Sequence, residues 1–495
     1  MYQSFIGLEI HIHLLTDTKV FCSCKAAFGS EPNTNVCPVC LGHPGVLPAL
    51  NREAFEMGAL VAQALNCRIP GRTWFERKQY FYPDMPKNYQ ISQFASPLGQ
   101  DGFMELLFQG RKKRIRIKEC HLEEDAGKMI HAGNVTLLDY NRAGTSLLEI
   151  VTEPDLETGA EAEVFIQQLR RLVRYLGVCD GNMEEGSLRS DANVSINLKG
   201  AGLGRKVEIK NLNSSRFVRL ALDHEIERQK EILESGSIVK QETRLWNENR
   251  DQTESMRSKE DSHDYRFFPE PDLPVLEIDE AFRGEIRSRL MELPLDRLER
   301  LVREYGLSLE QADYICEERA LADYFEAAVR AISGLPREEA ARRVALWLAS
   351  DVKRIMNRDG IAADRIDRWS FTAEQLAQIV ELLARGAISG KIAKQVLELS
   401  VAEQKDPQEL VVERGWQMIQ DRDTIARFVR EVCQRETGSF QEAVAALEGG
   451  NRKRYETLTA YLVGKVLGAT EGRCDAPLVK EELEKLIGEM KPCEC

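Results

Sequence analysis

Between Gly7 and Leu14 the chain alternates, with Leu8, Ile10, Ile12 and Leu14 apolar and Glu9, His11 and His13 polar. A strand points successive side chains to opposite faces, so this period of two predicts a half-buried strand with the glutamate and both histidines on its polar face. The alternation returns at Ile115 and Ile117, at Leu148 and Ile150, and at Val194, Ile196 and Leu198. One stretch has a helical period instead. Phe165, Ile166, Leu169, Leu172, Val173 and Leu176 form an apolar stripe, preceded by Thr158 and Glu161 as a capping box and followed by Gly177. Short strands, abundant Gly, Pro and Asn, and this helix predict an α+β domain with a β-rich core over residues 1–292. After the run FFPEPDLP at 267–274 the pattern turns to charged amphipathic helices, such as 295–305 and 338–348, and predicts an all-α remainder. Breaks near 334–336, 359–360 and 405–407 separate helices. The last of them divides an expected helical linker domain, residues 293–405, from a small helical tail domain, residues 406–495.

A length of 495 residues exceeds what one core usually supports, and 43% hydrophobic residues are ample for several. The N-terminus has no signal-peptide pattern and no window approaches a membrane span, so a cytoplasmic protein with no membrane role is expected. A net charge of −13 opposes broad nucleic-acid binding and confines any RNA contact to a local patch. Twelve cysteines in so long a chain point to metal binding or catalysis for the clustered ones rather than to a disulfide framework.

Four cysteines do cluster. Cys22-x-Cys24 and Cys37-x-x-Cys40, with Pro38 inside the second pair and Gly42 after it, have the spacing of a tetrahedral zinc knuckle. Four sulfur ligands leave no open position, so the zinc is expected to brace a loop and not to perform chemistry. A second set is acidic: Glu9 and His11 on the first strand, the run Glu123-Glu124-Asp125, and Glu149 on a later strand. Carboxylates with an imidazole can hold magnesium beside a nucleotide's phosphates, or can stand as solvated strand-edge charges. The residue pattern leaves both open. The segment 78–90, KQYFYPDMPKNYQ, mixes aromatics, prolines, Lys78 and Lys87 and predicts a rigid loop able to present cations to a developing anion. The basic run from Arg111 to Lys118 reads as a solvated hairpin. At 386–392 three residues separate the glycines where a phosphate loop has four, and Ile392 replaces the metal-binding hydroxyl. That stretch is helix punctuation. No Gly-x-Ser-x-Gly nucleophile elbow is present, so the sequence carries no serine-hydrolase signature.

Taken in order, the blocks GLEIHIHL, KVFCSC, NTNVCPVCLGHPGVLP, KQYFYPDMPKNYQIS, HLEEDAGK, DYNRAGTSLLEIVTEPD, RSDANVSI, VEIKNLNS and DYRFFPEPDLP resemble the cradle domain of the B subunits of glutamine-dependent aminoacyl-tRNA amidotransferases. The helical remainder, with SGKIAKQV and LVGKVLGATEGRCDAP, resembles the family's linker and tail. The resemblance implies an ATP-dependent ligase acting within a heterotrimer. One partner, an amidase, frees ammonia from glutamine, and a small third subunit joins them. The cradle phosphorylates the side-chain carboxylate of misacylated Glu-tRNA(Gln) or Asp-tRNA(Asn) before ammonia attacks. By position the resemblance implies Glu9, His11, Glu124 and Glu149 as magnesium ligands, and Lys78, Lys87 and Glu124 at the reaction centre. It implies Cys22, Cys24, Cys37 and Cys40 as structural zinc ligands, and Arg189, Asp191, Asn193, Lys210 and Asn211 along the nucleotide or the acceptor end. His13 stands where the family commonly has Gln and is not counted as a ligand. In the tail the TEGR stretch with Glu471 and Arg473 is less basic than usual, leaving Arg452, Lys453 and Arg454 as the expected tRNA contact. The rival expectations are a noncatalytic RNA-binding protein and a self-contained ligase of small carboxylic acids.

Overall fold

The computed structural model describes residues 1–258 and 265–490, and the chain divides into two compact units, Met1–Asp296 and Arg297–Cys495. Part of the DYRFFPEPDLP block and the last five residues lie outside the described residues.

An eight-stranded sheet organises the first unit, in the order Gln252–Ser258, Glu242–Asn247, Val207–Leu212, Leu188–Leu198, Tyr2–His13, Ser146–Thr152, Arg111–Glu124, Gly99–Phe108. Its neighbours are antiparallel except Val207–Leu212 and Glu242–Asn247, which run parallel. The strand with the alternating pattern, Tyr2–His13, is thus central. Leu8, Ile10 and Ile12 are buried on one face, while Glu9, His11 and His13 stand half-buried on the other. The apolar face is covered by the helices Arg52–Ala64, Gly159–Tyr175 and Ser215–Glu234, and their side chains join those of the strands in one core.

The 159–175 helix starts as its sequence predicts, with the Thr158 hydroxyl accepting from the Glu161 amide at 3.1 Å. Only half of the capping box forms. The Glu161 carboxylate accepts from the Glu157 amide and from Lys113 instead. Leu198, expected on the apolar face with Val194 and Ile196, lies at the exposed end of its strand. The basic 111–118 run is one arm of a hairpin, and its cations meet Glu105, Glu161 and Asp155, in line with the solvated reading. The proline-rich run does not end the first unit: Phe268–Pro269 pairs with Glu76 and Arg77, and the helix Glu280–Arg289 packs on Arg52–Ala64.

The second unit is helical throughout its described residues. Pro294–Tyr305 and Arg337–Trp347 match the two amphipathic segments expected there. Gly360, at φ +69°, closes the helix Lys353–Asp359 in the left-handed conformation that glycine adopts without strain. The 386–392 stretch joins two helices, with the Ser389 hydroxyl capping the Ile392 amide, as expected of punctuation. The last four helices, Arg422–Arg435, Thr437–Glu448, Arg452–Ala469 and Ala476–Glu489, enclose a core of their own around Val429, Leu462 and Leu483. No helix among the described residues is long and apolar enough to cross a membrane.

Candidate active site

Strand register assembles the polar face of the large sheet. Arg189 is the cross-strand partner of His11, His11 of Glu149, and Glu149 of His121, so four adjacent strands set these side chains in one row. His11 Nε2 lies 3.3 Å from Glu149 and 3.7 Å from Glu123, and His121 Nε2 lies 3.0 Å from Glu149 and 3.8 Å from Glu123. Burial would lower the His11 imidazole. The hydrogen bond and charge of Glu149, with the charge of Glu123, overcome this and raise it to about 9. Glu149 is held well below the usual carboxylate range by His121 and His11 against its own burial. Glu123 moves the other way, raised by burial and by Glu149 while the nearby cations, Lys78 among them, oppose the rise. His11, Glu123 and Glu149 are close enough to share one cation.

Two steps along the first strand, Glu9 joins a different group with Asp191 and Glu208. Lys210 neutralises much of it, pairing with Asp191 at 2.5 Å and with Glu208 at 3.0 Å. Asn193 donates to Glu9 at 2.9 Å. Asn211 stands apart: its backbone is left-handed at φ +65°, beside a register shift, and its amide donates to the Trp246 carbonyl.

The consecutive carboxylates Glu123, Glu124 and Asp125 are all buried and turn to three different sets of partners. Glu123 faces the two histidines. Glu124 pairs with the Lys87 ammonium and accepts from the Ile91 amide at 2.8 Å. Asp125 takes His13 at 2.6 Å, Arg189 at 2.7 Å and Arg142 at 3.3 Å, and although burial acts against them the two guanidinium charges and the hydrogen bond with His13 hold its carboxyl far below the ordinary range. The residues implied as magnesium ligands are therefore distributed. His11 and Glu149 touch, Glu9 belongs to the Asp191 group, and Glu124 is engaged by Lys87.

Lys87 comes from the 78–90 segment, which the buried Met85 and two hydrogen bonds fix in place, from the Gly127 amide to the Asp84 carbonyl and from the Tyr140 hydroxyl to the Pro83 carbonyl. Lys78 sits on the strand Glu76–Gln79 with its ammonium 4.8 Å from the centre of the Tyr265 ring.

Cys22, Cys24, Cys37 and Cys40 bring their sulfurs within 4.8 Å of one another. The Cys40 thiol is drawn down to about 4, first by a hydrogen bond from Cys22 and then by the Cys37 amide and the Lys19 charge, against burial. Lys19 is fully buried, and among the described residues its ammonium meets Cys40 Sγ at 3.6 Å and the Tyr140 carbonyl at 3.3 Å, with no carboxylate ion pair.

Comparison with known proteins fits this arrangement. The family described as GatB/GatE catalytic domain matches residues 4–283, and the GatB domain family matches residues 323–487. The B subunit of the aspartyl/glutamyl-tRNA(Asn/Gln) amidotransferase of Thermodesulfovibrio yellowstonii is 44% identical over 490 residues, covering 99% of this chain and 100% of that protein. The chain belongs to this family of amidotransferase B subunits. Members of the same name from Moorella thermoacetica, 45% identical over 98% of this chain and 100% of that protein, and Carboxydothermus hydrogenoformans, 43% identical over 99% of each, extend the likeness through both units.

His121, Arg142 and Lys19 escaped the sequence reading, and Glu123 entered it only as part of its acidic run and not among the implied ligands. His121 and Glu123 are two apart on a strand whose Cys120 and Leu122 are buried, so the period of two that exposed Glu9 and His11 also marks them. Arg142 and Lys19 carry no such signal, because each lies in an irregular segment and reaches its partners through long-range contacts.

Proposed function

We propose that this chain is the B subunit of a glutamine-dependent tRNA amidotransferase, and that its first unit activates the side-chain carboxylate of Glu-tRNA(Gln) or Asp-tRNA(Asn) with ATP. The carboxylate oxygen attacks the γ-phosphorus, the bond to the ADP oxygen breaks, and an acyl phosphate forms. Ammonia from the partner amidase then attacks the carbonyl carbon, phosphate leaves with the electrons of the C–O bond, and the nitrogen loses a proton. A carboxylate needs this activation because its oxygen is a poor leaving group. Catalysis then consists mainly of positioning and of neutralising charge.

One observation carries the reading: Lys87, paired with the buried Glu124, stands at the end of the strand whose neighbouring residues Glu123 and His121 build the histidine–glutamate cluster. Lys87 and Lys78 supply positive charge to the phosphoryl group and the developing oxyanion, and Glu124 orients Lys87 and accepts a proton. Magnesium bound with ATP would neutralise phosphoryl charge. Among the residues implied as its ligands, His11 and Glu149 are already adjacent, with Glu123 beside them, and Glu9 lies two residues along the strand in the separate group with Asp191 and Glu208. Glu124 is in neither group, and one of its carboxylate oxygens is taken by Lys87 and the Ile91 amide.

Structural zinc fits the four converging sulfurs, and the buried Lys19 argues for it independently. A fully buried ammonium with no carboxylate partner among the described residues calls for the negative charge that a metal tetrathiolate would provide. In the three-part division, 1–292 is catalytic, 293–405 a linker and 406–495 the tRNA-binding tail. Residues near Asp191, Asn193 and Lys210 serve the nucleotide or the acceptor end. The complex is a heterotrimer with the amidase and the small third subunit, and it works in the cytoplasm.

The test is reconstitution with both partner proteins, followed by amidation of misacylated tRNA with glutamine and ATP. Amide formation that requires ATP is expected. Binding of tRNA with no ATP consumption in any combination of the three proteins would overturn the proposal in favour of a noncatalytic RNA-binding protein.

A further inference from the structure

His121 touches both carboxylates of the histidine–glutamate cluster but is not one of the three groups that can share a cation. Those three are His11, Glu123 and Glu149, whose ligand atoms lie within 4.8 Å of one another. His121 Nε2 lies 3.0 Å from Glu149 Oε2 and 3.8 Å from Glu123 Oε2. Its side chain is 12% exposed against 23% for that of His11, so His11 is the imidazole open to an arriving ligand and His121 the enclosed one. The other ring nitrogen of His121, Nδ1, is buried and has no hydrogen-bond partner among the described residues. The ring is therefore anchored through Nε2, by its bond to Glu149.

One oxygen of Glu149 receives both imidazoles, since Oε2 lies 3.3 Å from His11 Nε2 and 3.0 Å from His121 Nε2. A cation affects the two contacts differently. An imidazole nitrogen that coordinates a metal has given up its proton and has nothing to donate, so His11 cannot hold a cation through Nε2 and still hydrogen-bond Glu149 through it. His121 keeps its donor. Glu123 has support of its own, from the Ser92 hydroxyl at 3.2 Å, whereas Glu149 has no hydrogen-bond donor besides the two imidazoles among the described residues. Glu149 is thus the carboxylate that depends on His121. The pairing is set by sheet register, because His121 and Glu149 are direct cross-strand partners. Two carboxylates and an imidazole suit a divalent cation of the magnesium or manganese kind, so the donor set fits the metal that the proposed function calls for.

We propose that His121 is a positioning residue for Glu149, whose hydrogen bond from Nε2 holds that carboxylate in the orientation that serves, with His11 and Glu123, to receive a divalent cation. This rests on the function proposed above and adds to it the group that keeps one metal-binding carboxylate in place. Removing a hydrogen-bond partner of a metal ligand costs about 10–100-fold in metal affinity, which sets the size of the effect.

The experiment measures Mn2+ binding to the reconstituted heterotrimer without ATP or tRNA, from the electron paramagnetic resonance signal of the free ion. The proteins are wild type, Glu149→Gln, His121→Leu, His121→Gln and the double variant His121→Leu with Glu149→Gln. Leucine fills the volume of the ring without a donor, and glutamine restores an N–H. Thermal melting checks the fold of each, and His121→Ala serves as the donor-free variant should leucine unfold the chain. Wild type is expected to bind a Mn2+ ion that Glu149→Gln releases. His121→Leu should raise the Kd for that ion by about tenfold or more, and His121→Gln should recover part of the loss. Because His121 acts through Glu149, the double variant should bind no more weakly than Glu149→Gln by more than about twofold. In the amidation assay the leucine variant should need more Mg2+ for half-maximal rate and regain most of the wild-type kcat when Mg2+ saturates, a split that a loss of packing alone would not produce. A folded donor-free variant with the wild-type Kd, or a glutamine variant that binds no better than leucine, overturns the inference and leaves the proposed function standing. Mn2+ binding in wild type that Glu149→Gln does not alter overturns the metal reading of the cluster as well, which distinguishes the two failures.

Discussion

Gly42, two residues past the last clustered cysteine, lies so close to Lys87 that a Cβ on it would stand 2.7 Å from Lys87 Cγ and 2.9 Å from its Cα. Its φ of +69° is a second reason for glycine, since side chains disfavour that region. The cysteine turn therefore packs directly against the segment that presents Lys87 to Glu124, so the zinc proposed above would brace that segment. Gly42→Ala should displace the Lys87 backbone, destabilise the protein by about 1–3 kcal/mol and reduce tRNA amidation by about tenfold or more. Melting temperature and kcat together check this. An alanine enzyme with wild-type kcat would separate the knuckle from Lys87.

Glu124 is 2% exposed and holds both Lys87 and the Ile91 amide, so its charge orients the lysine as well as serving any proton transfer. Glu124→Gln keeps a hydrogen-bond acceptor but removes the charge. ATP-dependent amidation is expected to fall by about a hundredfold or more, while glutamine hydrolysis measured in the same complex should stay detectable, because the proposed function assigns that chemistry to the partner amidase. Parallel assays of the two activities make the comparison, and amidation at the wild-type rate would remove Glu124 from the reaction centre.

Zinc should be present at one equivalent per chain and lost in Cys37→Ser, since a missing thiolate opens a four-coordinate site. Lys19 adds a sharper expectation. Replacing a fully buried ammonium beside Cys40 with a neutral isostere removes the charge that balances the tetrathiolate, so Lys19→Met should give up zinc to a competing chelator about tenfold faster than wild type. Chelator-exchange kinetics with a zinc dye follow it directly. Equal exchange in both proteins would mean that Lys19 serves packing alone.

The period of two placed Glu9, His11 and His13 on one face correctly, because the apolar side of a half-buried strand forces the register of everything opposite. Which of them meet was not legible. Convergence depends on strand order, and the neighbours of Tyr2–His13 come from residues 146–152 and 188–198, far away in the chain. The three carboxylates at 123–125 look like one acidic patch in sequence. They separate in the structure because their strand ends there, and each residue finds a different basic or imidazole partner supplied by another segment.

The tail gives the most exposed prediction, because its proposed contact is only partly available. Arg452 pairs with Glu456 at 3.0 Å and Arg454 with Glu442 at 2.5 Å, while Lys453 stands exposed beside them at the start of the Arg452–Ala469 helix. Exposed pairs of this kind are worth little and yield readily to phosphate, so the three cations remain competent to bind a nucleic-acid backbone. The last four helices enclose their own core, while the helix Pro407–Glu413 packs on the helices Ala373–Ala384 and Gly390–Glu403, so removing residues 406–495 takes away that module together with one helix of the preceding packing. In the reconstituted complex that deletion should raise KM for misacylated tRNA at least about tenfold and leave KM for ATP nearly unchanged. It should also flatten the fall of tRNA affinity with salt, because each lost phosphate contact removes about 0.9 or less from the slope of log K against log salt. The triple variant Arg452→Ala, Lys453→Ala and Arg454→Ala should reproduce the change in slope within the intact tail. If the triple variant keeps the wild-type slope while the deletion loses it, the tRNA contact lies elsewhere in the tail, and if both keep it the tail does not bind tRNA.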